Sequence, residues 1–183
     1  MTIWILERLE LPMTKNEPTD PIEQAWQQID SGDLREAYRL LMPLLAEGDP
    51  AAQFLYSSFS FANEESTDEF EARSVRLLRM ASDAGYPPAM YALAVRYDIG
   101  DAMVIRDVAK ADALFKAAAD AGHPRAKLIH GTALFYGAND VEQDEAKGLL
   151  LIEQAAADGV DDAQDALEAA RERLSRNQTQ DHQ

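Results

Sequence analysis

The apolar positions that begin at Ala89 follow the spacing of an α-helix and then stop. Ala89, Leu93 and Tyr97 recur every four residues, which places them on one stripe of a helix. Gly100 provides a residue that ends this helix, and Asp107 provides a side chain that caps the start of another. The pattern predicts one helix, a loop and the beginning of a second helix.

A second apolar stripe follows directly. Leu114, Phe115 and Ala118 fall on one face of the next helix. Gly122 supplies the positive φ that a helix end favours, and Pro124 suits the first position of the helix after it. This stretch therefore predicts a helical pair, and no alternating strand pattern competes with it.

The pair is one copy of a repeat with a period of 37 residues. The same residue types return at fixed places in this period, and the places are Gly48, Gly85, Gly122 and Gly159; Ala52, Ala89, Ala126 and Ala163; Ala81, Ala118 and Ala155; and Leu40, Leu77, Leu114 and Leu151. Periods of this length are typical of solenoids, in which each helical pair packs on its neighbours.

The period divides the chain into segments around a repeat domain at residues 21–175. The expected ranges are 1–20 for an N-terminal segment, 21–48, 49–85, 86–122 and 123–159 for helical pairs, 160–175 for a capping helix (its helical part at about 162–174), and 176–183 for a polar, frayed tail. Pro43 is expected to kink the second helix of the first pair. The next pair departs from the pattern because Phe70 stands where Asp107 and Asp144 begin later helices.

The pair that begins at Ala89 resembles a known repeat. The similarity to the Sel-one-like repeat, a relative of the tetratricopeptide repeat, is carried by Ala89, Leu93, Ala94, Tyr97, Gly100, Val104, Asp107, Lys110, Ala111 and the stretch "FKAAADAGHPRA". The resemblance covers about residues 21–175 and is weakest in the pair with Ala52, where Tyr56, Ser57 and Ser60 replace the leucine, glycine and tyrosine. It implies an all-α, right-handed superhelical solenoid that binds other proteins, and it implies no catalytic residue.

Composition narrows the classes of partner. The chain has 183 residues, of which 46% are hydrophobic, so it fits one domain with a packed core. It has no cysteine, which excludes disulfides, thiolate nucleophiles and cysteine-based zinc sites. Its formal net charge of −16 disfavours nucleic acid as a partner and is compatible with a basic protein partner.

The N-terminal stretch "MTIWILERLEL" is apolar only briefly. No basic residue precedes the apolar run, so we expect neither a secretory signal nor any location other than the cytoplasm. No stretch of the chain approaches the roughly 20 apolar residues of a membrane span. Two interpretations of residues 1–12 stay open: they precede a start at Met13, or Trp4, Leu6, Leu9 and Leu11 cap one end of the fold.

The resemblance places the first helix of each pair on the concave face of the solenoid. The positions beside the packed stripe, which we expect to face this groove, are Phe54, Ser58, Phe61, Tyr91, Val95, Asp98, Leu128, Thr132 and Phe135. Aromatic side chains are favoured at binding hot spots. Partner binding and simple packing remain two interpretations of the aromatic positions.

The histidines predict no chemistry. His130 replaces the leucine of the first-helix stripe, and we interpret it as a buried histidine whose hydrogen bonds are satisfied. His123 occupies a place taken by Asp49, Tyr86 or Val160 in the other pairs, so we interpret it as the least constrained residue of the joint. No carboxylate completes a metal-binding set with the two histidines at helical spacing.

The acidic stretch from Glu64 to Glu71 also predicts no metal site. It lacks the order of ligands that a calcium loop requires, so we interpret it as a solvated loop.

These observations favour a cytoplasmic, monomeric protein–protein interaction module that binds a peptide or a partner protein in the groove, without a cofactor. A narrower alternative is a neutralising partner of a toxic effector, a role of small bacterial proteins that resemble this family. A self-assembling structural protein and an enzyme are further alternatives. An enzyme is disfavoured because no nucleophile, base and pocket can be assembled from the motifs.

Overall fold

A computed structural model describes residues 20–61, 64–101, 103–139 and 141–180. Within these residues the chain forms nine α-helices and no strand, and the helices are α1 (Pro21–Ser31), α2 (Leu34–Glu47), α3 (Pro50–Tyr56), α4 (Thr67–Asp83), α5 (Pro87–Ile99), α6 (Val108–Asp120), α7 (Pro124–Tyr136), α8 (Glu145–Ala157) and α9 (Ala163–Gln180). The prediction of an all-α chain of helical pairs is confirmed. Both interpretations of residues 1–12 concern a segment outside the described residues.

The chain divides into two compact units. The N-terminal unit is Met1–Ala92 and the C-terminal unit is Leu93–Gln183, so helix α5 contributes to both.

The joints between successive pairs share one hydrogen-bond pattern. At the first joint the Gly48 nitrogen donates to the Leu45 oxygen (3.1 Å), and the Asp49 nitrogen donates to the Leu44 oxygen (2.9 Å). The same two bonds recur at Gly85 and Tyr86, at Gly122 and His123, and at Gly159 and Val160. All four glycines have φ between 76° and 92°, so the predicted left-handed helix ends are present.

Aspartates begin most of the described helices. Their side chains accept a backbone N–H of the first turn, and the capping residues are Asp20 for α1, Asp33 for α2, Asp49 for α3, Asp107 for α6 and Asp144 for α8. Such caps satisfy amide groups that have no partner within the helix. Part of the negative charge of the chain therefore serves helix initiation.

The second pair divides its residues differently from the others. Helix α3 ends early, at Tyr56, and the hydroxyls of Ser57 and Ser58 donate back to carbonyls of its last turn. Helix α4 begins at Thr67 with a capping box, in which the Ser66 side chain accepts from the Glu69 nitrogen and the Glu69 carboxylate accepts from the Ser66 nitrogen. The absence of an aspartate at position 70 is explained, because that position already lies inside α4.

Small residues line the contact between the two helices of a pair. One column of the second helix, spaced by 37 residues, holds Ala37, Ser74, Ala111 and Gly148, and all four residues are buried. In the C-terminal unit, Gly148 of α8 lies against the backbone of α7. A Cβ added at Gly148 would lie 2.5 Å from the Phe135 nitrogen and 2.7 Å from the Gly131 oxygen. Only glycine permits these two helices to approach so closely.

Helix α9 is longer than the sequence indicated. It runs from Ala163 to Gln180, so the predicted helix end near residue 174 and the frayed tail from residue 176 are wrong for the described residues. No glycine or proline interrupts this stretch, and the Arg176 guanidinium reaches the Glu172 carboxylate one turn earlier. Polar composition therefore does not end this helix.

The kink expected at Pro43 of helix α2 stays a prediction. The single helix Leu34–Glu47 includes Pro43, and this proline is exposed.

Candidate interaction surface

The predicted groove residues of the N-terminal unit have different environments. Phe54 is only 4% exposed, and its ring centroid lies 5.6 Å from that of Tyr86. Ser58, Phe61 and Tyr91 are partly buried. Three of these four predicted residues thus retain some accessible surface, and Phe54 belongs to the core.

The predicted residues of the C-terminal unit show the same division. Val95, Leu128 and Thr132 are partly buried and Asp98 is exposed, whereas Phe135 has no exposed surface. The Phe135 ring lies in a core cluster with Ile152, Leu167 and Ala170.

The prediction that Phe54 and Phe135 contact a partner is therefore wrong. A first helix that packs against several neighbours buries more than one stripe, and a large ring beside that stripe is used to fill the core. For these two positions the packing interpretation holds. The remaining seven groove residues stay a prediction.

Four rings form an aromatic cluster at the end of α3. The aromatic cluster consists of Tyr38, Tyr56, Phe59 and Phe61, with ring centroids of neighbouring pairs 4.9–5.9 Å apart. Phe61, predicted to face a partner, packs here on the rings of Tyr38 and Phe59. The guanidinium carbon of Arg35 lies 5.2 Å from the Phe61 ring centroid, so an arginine borders its outer side.

Arg73 joins this cluster to the loop that follows it. Its guanidinium donates to the backbone oxygens of Tyr56 (2.6 Å) and Phe59 (2.9 Å). The guanidinium carbon lies 3.9 Å from the centroid of the Tyr56 ring. The guanidinium also makes two bonds to the Glu65 carboxylate, at 2.6 and 3.1 Å. Only 12% of the Arg73 side chain is exposed. This largely buried cation donates to backbone carbonyls that have no partner within a helix because α3 ends early.

The acidic stretch from residue 64 to residue 71 is largely structural. Glu64 pairs with Arg35, Glu65 pairs with Arg73, and Glu69 completes the capping box of α4. The hydrogen bonds from Ser66 hold the pKa of Glu69 below its usual value. The interpretation of this stretch as a solvated loop is therefore wrong for Glu65, which is largely buried against Arg73. Glu69 is exposed, but it belongs to α4 and not to a loop.

His123 has a defined role in the structure. It is the N-cap of α7, where its Nδ1 accepts from the Ala126 nitrogen at 3.3 Å, as Asp49 does for α3. Burial, aided by the positive charge of Arg125, lowers the pKa of His123 to about 4. The interpretation of His123 as the least constrained residue of the joint is wrong, because its neutral ring begins a helix.

His130 is buried as predicted, but it is not satisfied. It is 5% exposed, and its Nε2 has no hydrogen-bond partner within the described residues. Burial, together with the charges of Lys147 and Lys116, lowers the pKa of His130, while the carboxylates of Asp120 and Asp112 act in the opposite direction. A neutral imidazole therefore occupies the place that Leu93 takes one period earlier.

Three exposed apolar side chains of the C-terminal unit lie at the ends of first helices or in the loop after α5. We call Ile99, Ile105 and Tyr136 the apolar edge; they are 70%, 89% and 40% exposed. Sequence reasoning missed them because it followed the packed stripe and its neighbour along each helix. The available signal was that Ile99 and Tyr136 are 37 residues apart and both end a first helix.

Two further kinds of feature, a metal-binding cluster and a membrane-spanning helix, are absent from the described residues. Among them, no group of three or more histidines and carboxylates is arranged to hold a metal ion. None of the helices in the described part of the chain combines the length and the apolar character needed to cross a membrane.

Comparison with known proteins bears on the helical pairs of this surface. Residues 87–123 and residues 124–160 each match the family model of the Sel1 repeat. The chain contains two Sel1 repeats. Both matched segments coincide with pairs in which a first helix, α5 or α7, is followed by a second, α6 or α8.

Solved structures agree with this assignment. A Sel1 repeat protein from Oxalobacter formigenes is 29% identical, with a TM-score of 0.61 over 70% of this chain and 95% of that chain. A protective antigen present in uropathogenic Escherichia coli strains, which displays an SLR fold, is 22% identical with a TM-score of 0.64. The alignment with the antigen covers 82% of this chain but only 32% of the antigen, and at this identity the likeness concerns the fold alone. No curated protein matches the sequence.

Proposed function

We propose that this protein is a non-enzymatic module that binds a partner protein through the first helices of its pairs. The observation that carries the proposal is the pair of Sel1 repeats at residues 87–123 and 124–160, because such repeats generally serve as protein–protein interaction modules. The fold shared with a Sel1 repeat protein over most of both chains supports it.

The surface that we assign to this function in the C-terminal unit consists of Val95 and Asp98 of α5 and Leu128 and Thr132 of α7. Each retains accessible surface, unlike Phe135. Their mixture of aliphatic, hydroxyl and carboxylate groups suits an interface with a small apolar centre and a polar rim.

The proposal is tested by charge substitution on the first helices. The double variant Val95→Lys/Thr132→Lys is compared with Ala113→Lys/Leu150→Lys, which adds the same charge at exposed positions of the second helices. Partners captured from native lysate are identified by mass spectrometry, and circular dichroism verifies that both variants remain folded. We expect the first-helix variant to lose specific partners that the control retains. An unchanged partner profile for the folded first-helix variant would contradict the assignment.

A further inference from the structure

The apolar edge of the C-terminal unit is a second surface that needs an explanation. Ile105 is 89% exposed and Ile99 is 70% exposed, although isoleucine is among the residues most often buried. Single exposed apolar residues are normal on protein surfaces, but neighbouring ones indicate a contact site. The loops after α5 and α7 determine whether these three side chains lie close to one another.

The loop after α5 folds back onto the end of that helix. The Arg106 Nε donates to the Asp98 oxygen at 2.7 Å, and the Asp107 nitrogen donates to the Tyr97 oxygen at 2.8 Å. These two bonds fix the residue that precedes them, Ile105, beside the helix end that carries Ile99.

The loop after α7 lies at the same end of the C-terminal unit. The Asp144 nitrogen donates to the Leu134 oxygen at 2.9 Å, which folds this loop back in the same manner. The side chain of Asn139 donates to the carboxylate of Asp112, in the second turn of α6, at 3.4 Å. The loop that follows Tyr136 therefore lies against the start of α6, next to the loop that holds Ile105.

The charged side chains around the apolar edge indicate the kind of partner that it binds. The carboxylates of Asp98, Glu142 and Asp144 are exposed beside it. Most cations at this edge pair with carboxylates: Arg96 with Asp101 at 2.7 Å, Lys110 with Asp107 at 3.0 Å, and Arg173, which lies 5.0 Å from the Tyr136 ring centroid, with Glu145 at 3.5 Å. Arg106 donates to the backbone oxygen of Asp98. With a net charge of −16 over the whole chain, self-repulsion disfavours a second copy as the occupant.

We infer that the apolar edge docks a basic segment of a partner protein, with apolar side chains on Ile99, Ile105 and Tyr136 and lysine or arginine against the surrounding carboxylates. This inference rests on the proposed function and adds a contact site outside its first-helix residues. An apolar centre within a charged rim gives such a site both burial and electrostatic complementarity.

The test uses the full chain and a defined probe. The probe is a short fluorescein-labelled peptide of lysine and leucine, and its binding is measured by fluorescence anisotropy. The variant Ile99→Asp/Ile105→Asp adds two negative charges at the edge, and the control Met42→Asp/Leu150→Asp adds them at other exposed apolar positions. General attraction between opposite charges predicts tighter binding to both variants, whereas docking at the edge predicts weaker binding to the first alone.

We expect the edge variant to bind the lysine–leucine peptide about tenfold more weakly than the wild type. We expect the control variant to bind it at least as tightly as the wild type, and a peptide of lysine and serine to bind weakly to all three proteins. Three results would overturn the inference: equal affinity of the edge variant and the control, equal affinity for the two peptides, or a wild-type dimer in sedimentation that the edge variant abolishes. The last result would identify a second copy as the occupant.

The outcome is independent of the test on the first helices. Loss of native partners in Val95→Lys/Thr132→Lys, combined with unchanged peptide binding in Ile99→Asp/Ile105→Asp, would refute the docking site and leave the proposed function in place.

Discussion

Replacing Gly148 with alanine isolates the contact between α7 and α8. The added Cβ would lie 2.5 Å from the Phe135 nitrogen, 2.7 Å from the Gly131 oxygen and 2.8 Å from the Phe135 Cα. All three atoms belong to the backbone, so no side-chain rotation relieves the overlap. Favourable contacts between heavy atoms lie at about 3.5–4.0 Å, so the two helices must separate by about 1 Å.

The expected cost follows from two opposing effects. Overpacking of a rigid core costs about 1–3 kcal/mol, and the backbone contacts at Gly148 place this case at the upper end. Alanine in place of glycine inside a helix returns about 1 kcal/mol through its helix propensity. We therefore expect Gly148→Ala to lower the free energy of unfolding by about 2 kcal/mol and Tm by roughly 4–8 °C.

The assay is thermal and urea unfolding, followed by circular dichroism. The control is Ala113→Gly at an exposed position in the middle of α6, where propensity alone predicts a loss of about 1 kcal/mol. If propensity alone acted at both sites, the two substitutions would change stability in opposite directions. A Gly148→Ala protein as stable as the wild type, or more stable, would refute the close approach of α7 and α8.

Three further predictions concern buried polar groups. His130→Leu removes an unpaired buried nitrogen at the place that Leu93 fills one period earlier, so we expect about 1–2 kcal/mol of added stability in urea unfolding at pH 7; a loss would show that the imidazole has a partner. Because the pKa of His123 is lowered to about 4, the unfolded chain binds the proton first, and the free energy of unfolding falls as pH drops from 6.5 to about 4. His123→Asn keeps the cap and should flatten this part of the pH profile; an unchanged slope would count against the cap. Arg73→Met leaves Glu65 and two carbonyls without their donor, so we expect a loss of about 3 kcal/mol in urea unfolding, and a much smaller loss for the exposed pair broken by Arg39→Met. Equal losses would contradict the central role of Arg73.

The joints were predictable because they are local. A left-handed glycine and two backbone bonds depend only on residues within one or two turns, and this arrangement recurs at all four joints. The helices on either side, and hence the all-α fold, follow from the same local rules.

The second pair was less predictable because two local signals compete there. The period places a helix start at position 70, whereas Ser66 and Glu69 form a capping box one turn earlier. The shorter α3 that results depends on Arg73, a residue distant in sequence from the carbonyls it satisfies. The sequence pattern alone does not indicate the contact between Arg73 and these carbonyls.

The surface was the least predictable part. Phe54 and Phe135 belong to the stripe beside the packed one, and only the number of neighbouring helices determines that they are buried. Helix α7 contacts α6, α8 and α9, so its buried face is wider than that of a helix with one neighbour. The exposure of Ile99 and Ile105 likewise depends on how the loop after α5 folds back, which the apolar pattern does not encode.

The identical joints have a consequence for how this chain can change length. The bond pairs at Gly48, Gly85, Gly122 and Gly159 are interchangeable, so cutting the chain after one of these glycines and inserting another 37-residue segment creates no new local structure. A protein with residues 86–122 duplicated in tandem should fold and gain one helical pair. In evolutionary terms, such a joint is a site where unequal recombination adds or removes whole pairs without first breaking the fold.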